Sequence, residues 1–136
     1  MSSLHVRVCV AGEDYALPVA DVLEIADYGE VAPVPGASGA ILGVRNLRGQ
    51  VLPVVNLASV LGLSPGAAPE RIVVAESGGR QAGLAVDSVD DVEQLPEAGE
   101  ETESPHLAGA VLSDGALVGL VNLASVLDSV QGAPAT

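Results

Sequence analysis

The sequence predicts a mainly β protein made of two similar halves, each with about five strands and a short helix. Two observations support this fold class. The string Val-Asn-Leu-Ala-Ser-Val-Leu occurs at residues 55–61 and again, unaltered, at residues 121–127, an offset of 66 positions. Much of each half also alternates apolar and polar residues, which is the period of a β-strand. We therefore expect one domain, residues 1–136, of two pseudo-symmetric five-stranded β-barrels around a shared hydrophobic core, with halves at residues 1–66 and 67–136.

The strand patterns of the first half are separated by turn residues. Valine recurs at every second position from Val6 to Val10, and Gly12 marks the turn that follows. Arg48-Gly49 is expected to form a tight hairpin turn, since glycine takes a positive φ without penalty. The strands predicted in this half are residues 4–10, 15–19, 22–28, 41–47 and 51–55, with one helical turn at residues 18–22.

The repeated string predicts a short helix in each half. Asn56 and Asn122 are suitable helix N-caps, and Leu-Ala-Ser-Val-Leu follows each of them. Gly62 is expected to end the first helix after residues 57–61. The 66-residue offset also places Gly43 on Gly109, Gly49 on Gly115, Val6 on Ile72 and Val8 on Val74. The strands predicted in the second half lie near residues 71–76, 81–86, 89–95, 107–112 and 116–121.

The charge balance limits the classes of partner. The 136 residues include 18 acidic side chains against five arginines and no lysine, for a formal net charge of -13. Such a surface disfavours nucleic acid and anionic membranes as partners. Salt adaptation and a coding bias both stay open as origins of the lysine-free composition.

The expected location follows from cysteine usage and hydropathy. Cys9 is the only cysteine, so no internal disulfide can form and a reducing compartment is suitable. The first ten residues lack the basic and apolar regions of a signal peptide. The longest apolar segment, residues 51–63, contains Pro53 and Asn56, so it is not expected to insert into a membrane. We expect a cytoplasmic protein.

The chain offers little for catalysis or cofactor binding. His5 and Cys9 share one strand face, but two ligands do not make a zinc site. No Gly-x-Ser-x-Gly segment marks a nucleophilic serine, and a chain without lysine cannot supply a P-loop lysine. The acidic residues Asp90, Asp91 and Glu93 are expected to form a solvated strand edge rather than a cation site. We therefore expect no catalytic residue, no cofactor and no metal.

The most informative local sequence is Gly-Val-Arg-Asn-Leu-Arg-Gly-Gln-Val-Leu-Pro-Val-Val, at residues 43–55. It resembles the signature of the CheW family, the adaptor proteins of bacterial chemotaxis arrays: Gly-Val-x-Asn-Leu-Arg-Gly-x-x-x-Pro-Val. The resemblance covers about residues 4–127. It implies the two-barrel fold expected above and no catalysis. The family also occurs as the regulatory end of the CheA histidine kinase, but the length of this chain fits a solitary adaptor.

The resemblance also implies which residues contact partners. Five positions match those that face the chemoreceptor tip or shape the groove beside it: Val22, Glu24, Gly43, Arg48 and Gly49. Glu24 and Arg48 resemble the family's charged pair, although the residues alone favour Arg48 as a hairpin-tip side chain without a binding role. Val31 and Val34 are inferred to contact the kinase, and core packing accounts for them equally well.

The resemblance implies a non-enzymatic adaptor that couples a chemoreceptor to a CheA-type histidine kinase, monomeric alone and assembled into arrays. One alternative keeps the fold but places it in a parallel array that controls surface motility or another output. A further alternative, from a different class, is a small-barrel enzyme or ligand-binding protein. A deep pocket with convergent titratable residues would support that alternative.

Overall fold

The computed structural model describes residues 1–36, 39–64 and 68–131 of the chain. These residues form ten strands, two α-helices and one 3₁₀ turn. The strands are β1 (Ser2–Val10), β2 (Glu13–Pro18), β3 (Val22–Asp27), β4 (Ile41–Leu47), β5 (Gln50–Asn56), β6 (Arg71–Ser77), β7 (Arg80–Val86), β8 (Ser88–Pro96), β9 (Leu107–Ser113) and β10 (Ala116–Val121). The helices are α1 (Leu57–Val60) and α2 (Leu123–Gln131), and the 3₁₀ turn is Val19–Asp21. The predicted fold class is confirmed, and every predicted strand overlaps an observed one.

The ten strands form two five-stranded sheets with the same internal order. The first sheet has the order β8-β1-β2-β10-β9, and the second has the order β3-β6-β7-β5-β4. Exchanging each strand for the one five places away in the chain converts one order into the other. Parallel pairing of β2 with β10, and of β5 with β7, joins strands from opposite halves within each sheet. The halves are therefore interleaved, and their expected boundary, at residues 66 and 67, lies outside the described residues.

Neither sheet is a closed barrel. The edge strands of the second sheet are β3 and β4, and a single antiparallel bridge joins Ala32, in the segment after β3, to Val44 on β4. The first sheet repeats this arrangement with a bridge between Glu100 and Ala110. One bridge does not continue the hydrogen-bond ladder that closes a barrel. The expected barrels are instead open sheets whose edges are brought together by a loop.

The first hairpins of the two halves correspond at an offset of 67 residues, because the turns Ala11-Gly12 and Gly78-Gly79 match. With this offset, Val6 and Val8 correspond to two residues of the shared core, Val73 and Ala75. The sequence-based pairing of Val6 with Ile72 and of Val8 with Val74 is therefore wrong. Ile72 and Val74 lie on the opposite face of their sheet, since a slip of one residue exchanges the two faces of a strand.

The main core lies between the sheets, and a smaller apolar cluster covers the other face of each sheet. The main core contains buried residues of both sheets and both helices, among them Val8, Leu17, Val55, Leu57, Leu84 and Leu127. The cluster on the second sheet is formed by Leu52, Val54, Ile72, Val74 and Ala85, and that on the first by Ala16, Leu95, Val118 and Leu120. Because both faces are covered, β6 is buried continuously from Ile72 to Ala75.

The two identical seven-residue strings form helices of different length because the next residue differs. The predicted caps are confirmed: Asn56 Oδ1 accepts a hydrogen bond from the Ala58 amide at 3.1 Å, and Asn122 Oδ1 accepts one from the Ser125 amide at 3.2 Å. Gly62 follows α1 with a φ of 75°, which suits a helix end. Asp128 holds the matching place in the second half, and there the helix continues. Within the described residues, none of the helices has the length and hydrophobicity needed to cross a membrane.

Candidate partner-binding cleft

A cleft of about 390 Å³ lies where the two edges of the second sheet approach each other, between β3 and the β4–β5 hairpin. We call it the first cleft. Its lining combines four aliphatic and four polar residues: Leu23, Leu47, Leu52, Val74, Glu24, Arg48, Gln50 and Gln81. Leu52 and Val74 form its buried floor, whereas Leu23 is 51% exposed. The first cleft can therefore accept an apolar side chain beside charged groups.

An ion pair joins the two edges of the sheet beside this cleft. Arg48 Nε donates to Glu24 Oε1 at 3.0 Å. The Arg48 side chain is 82% exposed, whereas that of Glu24 is 28% exposed. Exposed pairs of this kind contribute about 0–1 kcal/mol to folding, so the pair adds little to stability. Its exposed guanidinium instead stays available to an anionic group on a partner.

Arg48 occupies a backbone conformation that few residues favour. Leu47 pairs with Gln50 across the hairpin, which leaves a two-residue turn. Arg48 has a φ of 54° and Gly49 a φ of 81°, as a type I′ hairpin turn requires. For a residue with a side chain, the left-handed region costs about 1–2 kcal/mol. The chain therefore accepts strain at the residue whose side chain projects at the first cleft.

Gly43 lies away from the first cleft and serves packing. A Cβ atom there would lie 2.2 Å from the Ala32 carbonyl oxygen and 2.9 Å from Val31 Cγ1. Glycine thus lets the segment after β3 lie directly on β4. Arg45 fixes the same segment, because its Nη1 donates to the carbonyl oxygens of Asp27 and Tyr28 at 2.5 and 2.8 Å.

The structure brings only some of the predicted site residues together. Glu24 and Arg48 meet at the first cleft, and Gly49 completes the turn beside it. Val22 is half-buried against the main core at the start of β3. Val31 is half-buried against the small cluster of the second sheet, and Val34 is 42% exposed.

Among the eight lining residues, sequence reasoning named only Glu24 and Arg48 and missed the other six: Leu23, Leu47, Gln50, Leu52, Val74 and Gln81. No local signal pointed to Leu23, because strand alternation places Leu23 and Ile25 on the face opposite Glu24. In the structure a β-bulge between Val22 and Glu24 interrupts the regular pairing at Leu23. Gln81 comes from β7 and donates to Glu76 Oε2 at 3.0 Å, which only the tertiary fold reveals.

A second cleft, of about 490 Å³, occupies the corresponding place on the first sheet. It is lined by Arg7, Asp14, Val89, Asp90, Asp91 and Glu93. Arg7 donates to Asp14 Oδ2 at 3.0 Å and to Glu93 Oε2 at 3.2 Å, and Ser113 Oγ donates to Glu93 Oε1 at 2.7 Å. Asp90 and Asp91 are exposed, as expected for a solvated strand edge, but Glu93 is not, because it is half-buried within this network.

The network shifts the pKa values of two of its charged groups, Arg7 and Glu93. The hydrogen bond from Ser113, together with Arg7, lowers the pKa of Glu93. The hydrogen bond to Asp14, and then the one to Glu93, raise the pKa of Arg7. Both shifts favour the charged forms, so the second cleft is lined by an internal ionic network.

The remaining candidate reactive residues are dispersed. His5 is buried, and its Nδ1 lies 2.9 Å from the Ser3 carbonyl oxygen. Burial raises the pKa of the Cys9 thiol. His106 Nδ1 lies 2.8 Å from Ser125 Oγ, at the start of α2. Across the part of the chain that the structure describes, no group of three or more His, Cys, Asp or Glu residues is placed to hold a metal ion.

The fold and the first cleft define an interleaved two-sheet scaffold that presents a half-apolar cleft with an exposed ion pair. The model of the CheW-like domain matches residues 5–131, and the chain therefore belongs to the CheW-like domain family. The chemotaxis protein CheW of Rhizobium meliloti (strain 1021) is 32% identical over 90% of this chain and 85% of its own length. The protein FrzA of Myxococcus xanthus is 30% identical over 85% of this chain and 79% of its own length.

A solved structure supports the same conclusion. The scaffolding protein TtCheW of Thermoanaerobacter tengcongensis superposes with a TM-score of 0.82 at 26% identity, over 90% of this chain and 86% of that one. The suspected family resemblance is therefore confirmed over nearly the whole chain.

Proposed function

We propose that this chain is a non-enzymatic chemotaxis adaptor that couples the cytoplasmic tip of a chemoreceptor to a CheA-type histidine kinase. Membership of the CheW-like family, and similarity to a CheW chemotaxis protein and a CheW scaffolding protein, support the proposal. The proposal includes a cytoplasmic location and a monomer that enters arrays through its partners. Because each sheet contains strands of both halves, we also propose that residues 1–136 act as one domain, with halves at residues 1–66 and 67–136.

The observation that carries the receptor contact is the exposed Arg48 guanidinium beside the apolar lining of the first cleft. A receptor helix can place an aliphatic side chain against Leu23 and Leu47 while a neighbouring carboxylate reaches Arg48. The net charge of -13 repels acidic partners from most of the surface. The positive charge of Arg48 therefore determines where an acidic residue of the receptor can bind.

The kinase contact is proposed for the segment after β3. Val34 is the exposed member of the predicted pair, and Val31 packs beneath the segment. Gly43 and Arg45 hold the segment on β4. In this proposal Val34 touches the kinase, while Val31 and Gly43 fix the shape of the surface.

Separate binding measurements with a purified chemoreceptor cytoplasmic fragment and with the kinase, both from the same genome, test the proposal. Arg48→Glu should weaken receptor binding by about tenfold, which corresponds to about 1.4 kcal/mol. It should leave kinase binding unchanged. Val34→Asp should produce the reverse pattern.

Arg71→Glu is the matched control, because Arg71 also forms an exposed ion pair, with Asp27 at 3.0 Å, but lies outside the first cleft. The control should bind both partners like the unmodified chain. If Arg48→Glu and Arg71→Glu lose receptor binding equally, the loss comes from the change in net charge and not from a contact at Arg48. Unchanged receptor binding in Arg48→Glu would remove the proposed contact.

A second candidate is a CheW-like scaffold in a parallel array with surface motility or another output. This candidate is retained because the chain is 30% identical to FrzA, nearly the same as its 32% identity to the Rhizobium protein. Co-purification from the native host decides between the two, because the receptor and kinase recovered with the chain identify the array.

A further inference from the structure

We propose that Asn46 is a positioning residue for Arg48: its side chain locks the turn that holds the Arg48 guanidinium beside the first cleft. The inference rests on the receptor contact proposed above. Asn46 belongs to the signature at residues 43–55, but no role was assigned to it there, and it does not line the first cleft.

The lock is a hydrogen bond within the β4–β5 hairpin. Asn46 Oδ1 accepts from the Gly49 amide at 3.0 Å. In a two-residue turn the amide of the second central residue points away from the ladder, so its partner is a side chain or water. Asn46 precedes the turn and ties this amide back to β4. The bond therefore fixes the orientation of the peptide group between Arg48 and Gly49.

This orientation matters because Arg48 is poorly suited to its conformation. Glycine, asparagine and aspartate enter the left-handed region most readily, and arginine does not share that preference. If Arg48 moved to a negative φ, the turn would relax toward type I or II, which splays the two strands. The Arg48 side chain would then leave Glu24, which it reaches at 3.0 Å across the edges of the sheet. Asn46 opposes this relaxation.

Comparison of the hairpins of the chain supports the same interpretation. Two turns begin on residues that tolerate a positive φ, Gly78 and Asp114. The residue that matches Asn46 before the Asp114 turn is Leu112, which has no acceptor.

The turn that begins on Ala11 resembles the Arg48 turn. Alanine disfavours its φ of 51°. Here Asp87 Oδ2 accepts from the Ala11 amide at 2.9 Å. Side-chain acceptors thus serve both turns that begin on an unfavourable residue.

The test compares Asn46→Leu, which removes the acceptor, with Asn46→Asp, which keeps it, in the full chain. With only five arginines, the Arg48 Nε–H proton can be followed by NMR. In Asn46→Leu we expect this proton to lose its hydrogen-bonded shift and exchange faster with water. Receptor-fragment binding should weaken about fivefold in Asn46→Leu, because the exposed Arg48 contact is lost. It should stay within about twofold in Asn46→Asp, because that contact is kept.

A double-mutant comparison separates positioning from a direct or structural role. In an Arg48→Gly background, Asn46→Leu should cause no further loss of receptor binding. An equal loss in both backgrounds, or an unchanged Arg48 Nε–H signal in Asn46→Leu, would overturn the inference. If that signal responds while Arg48→Glu binds the receptor normally, the lock is supported and the receptor contact is rejected, so the two failures are distinguishable.

Discussion

The two clefts occupy matching places on the two sheets, yet their linings differ in polarity. The hairpin offsets pair Leu23 with Asp90, Leu47 with Ser113 and Val74 with Arg7. The first cleft is thus floored by aliphatic side chains, whereas the second contains an arginine between carboxylates. The same backbone arrangement therefore supports two ways of joining the edges of an open sheet. One places aliphatic side chains and an exposed ion pair between the edges, and the other places an ionic network there.

Burial decides how much each ion pair adds to stability. The Arg7 side chain is 14% exposed, against 82% for Arg48. Charges near the interior interact more strongly because the local dielectric is lower, and losing one partner leaves the other uncompensated. Around Arg48, water replaces the lost partner at little cost. The second cleft is therefore expected to serve stability, and the first to serve binding.

The largest expected effect comes from removing the centre of the second cleft. Arg7→Ala leaves Asp14 and Glu93 facing each other, with Asp90 and Asp91 nearby. The free energy of unfolding should fall by about 1–3 kcal/mol, between the scales for exposed and fully buried ion pairs, because Asp14 and Glu93 stay 31% and 24% exposed. Arg48→Ala, the matched variant of the first cleft, should lose less than about 1 kcal/mol. Urea denaturation of both variants measures the difference, and equal losses would show that burial does not distinguish the two clefts.

A smaller effect is expected in the pH dependence of stability. The pKa of Glu93 is lowered in the folded chain from an ordinary value of 4.5, so its stabilising contribution is fully present above that pH. The contribution is lost as the pH falls through the lower, folded pKa. Glu93→Gln should therefore be less stable than the unmodified chain at neutral pH, and the two curves should converge in acid. Denaturation midpoints measured from neutral to strongly acidic pH test this, and a gap that stays constant would contradict it.

Local sequence was enough to predict the strands, the hairpin turns and the helix caps, because each depends on residues close in the chain. The interleaving of the halves was not predicted, since alternation along β2 or β5 does not specify a parallel partner about a hundred or thirty residues away. The same limit applies to the clefts. The Glu24–Arg48 pair was inferred from a family resemblance, whereas the bonds from Arg7 and Ser113 to Glu93 join separate strands and had no local signal.

The smallest expected effect concerns the hairpin tips beside the two clefts, where Arg48 and Asp114 have similar positive φ values of 54° and 50°. Both substitutions to glycine are best made in a Glu24→Gln background, which removes the ion pair from the comparison. Arg48→Gly should then raise the free energy of unfolding by about 0.5–1 kcal/mol, because relief of the left-handed strain exceeds the added entropy of the unfolded chain. Asp114→Gly should change it by less than about 0.5 kcal/mol, since aspartate already tolerates this region. Thermal and urea unfolding measure both values. A stabilised Arg48→Gly protein that has lost receptor binding would show that the strained arginine is kept at the first cleft for its partner, whereas equal changes at the two tips would remove the distinction between them.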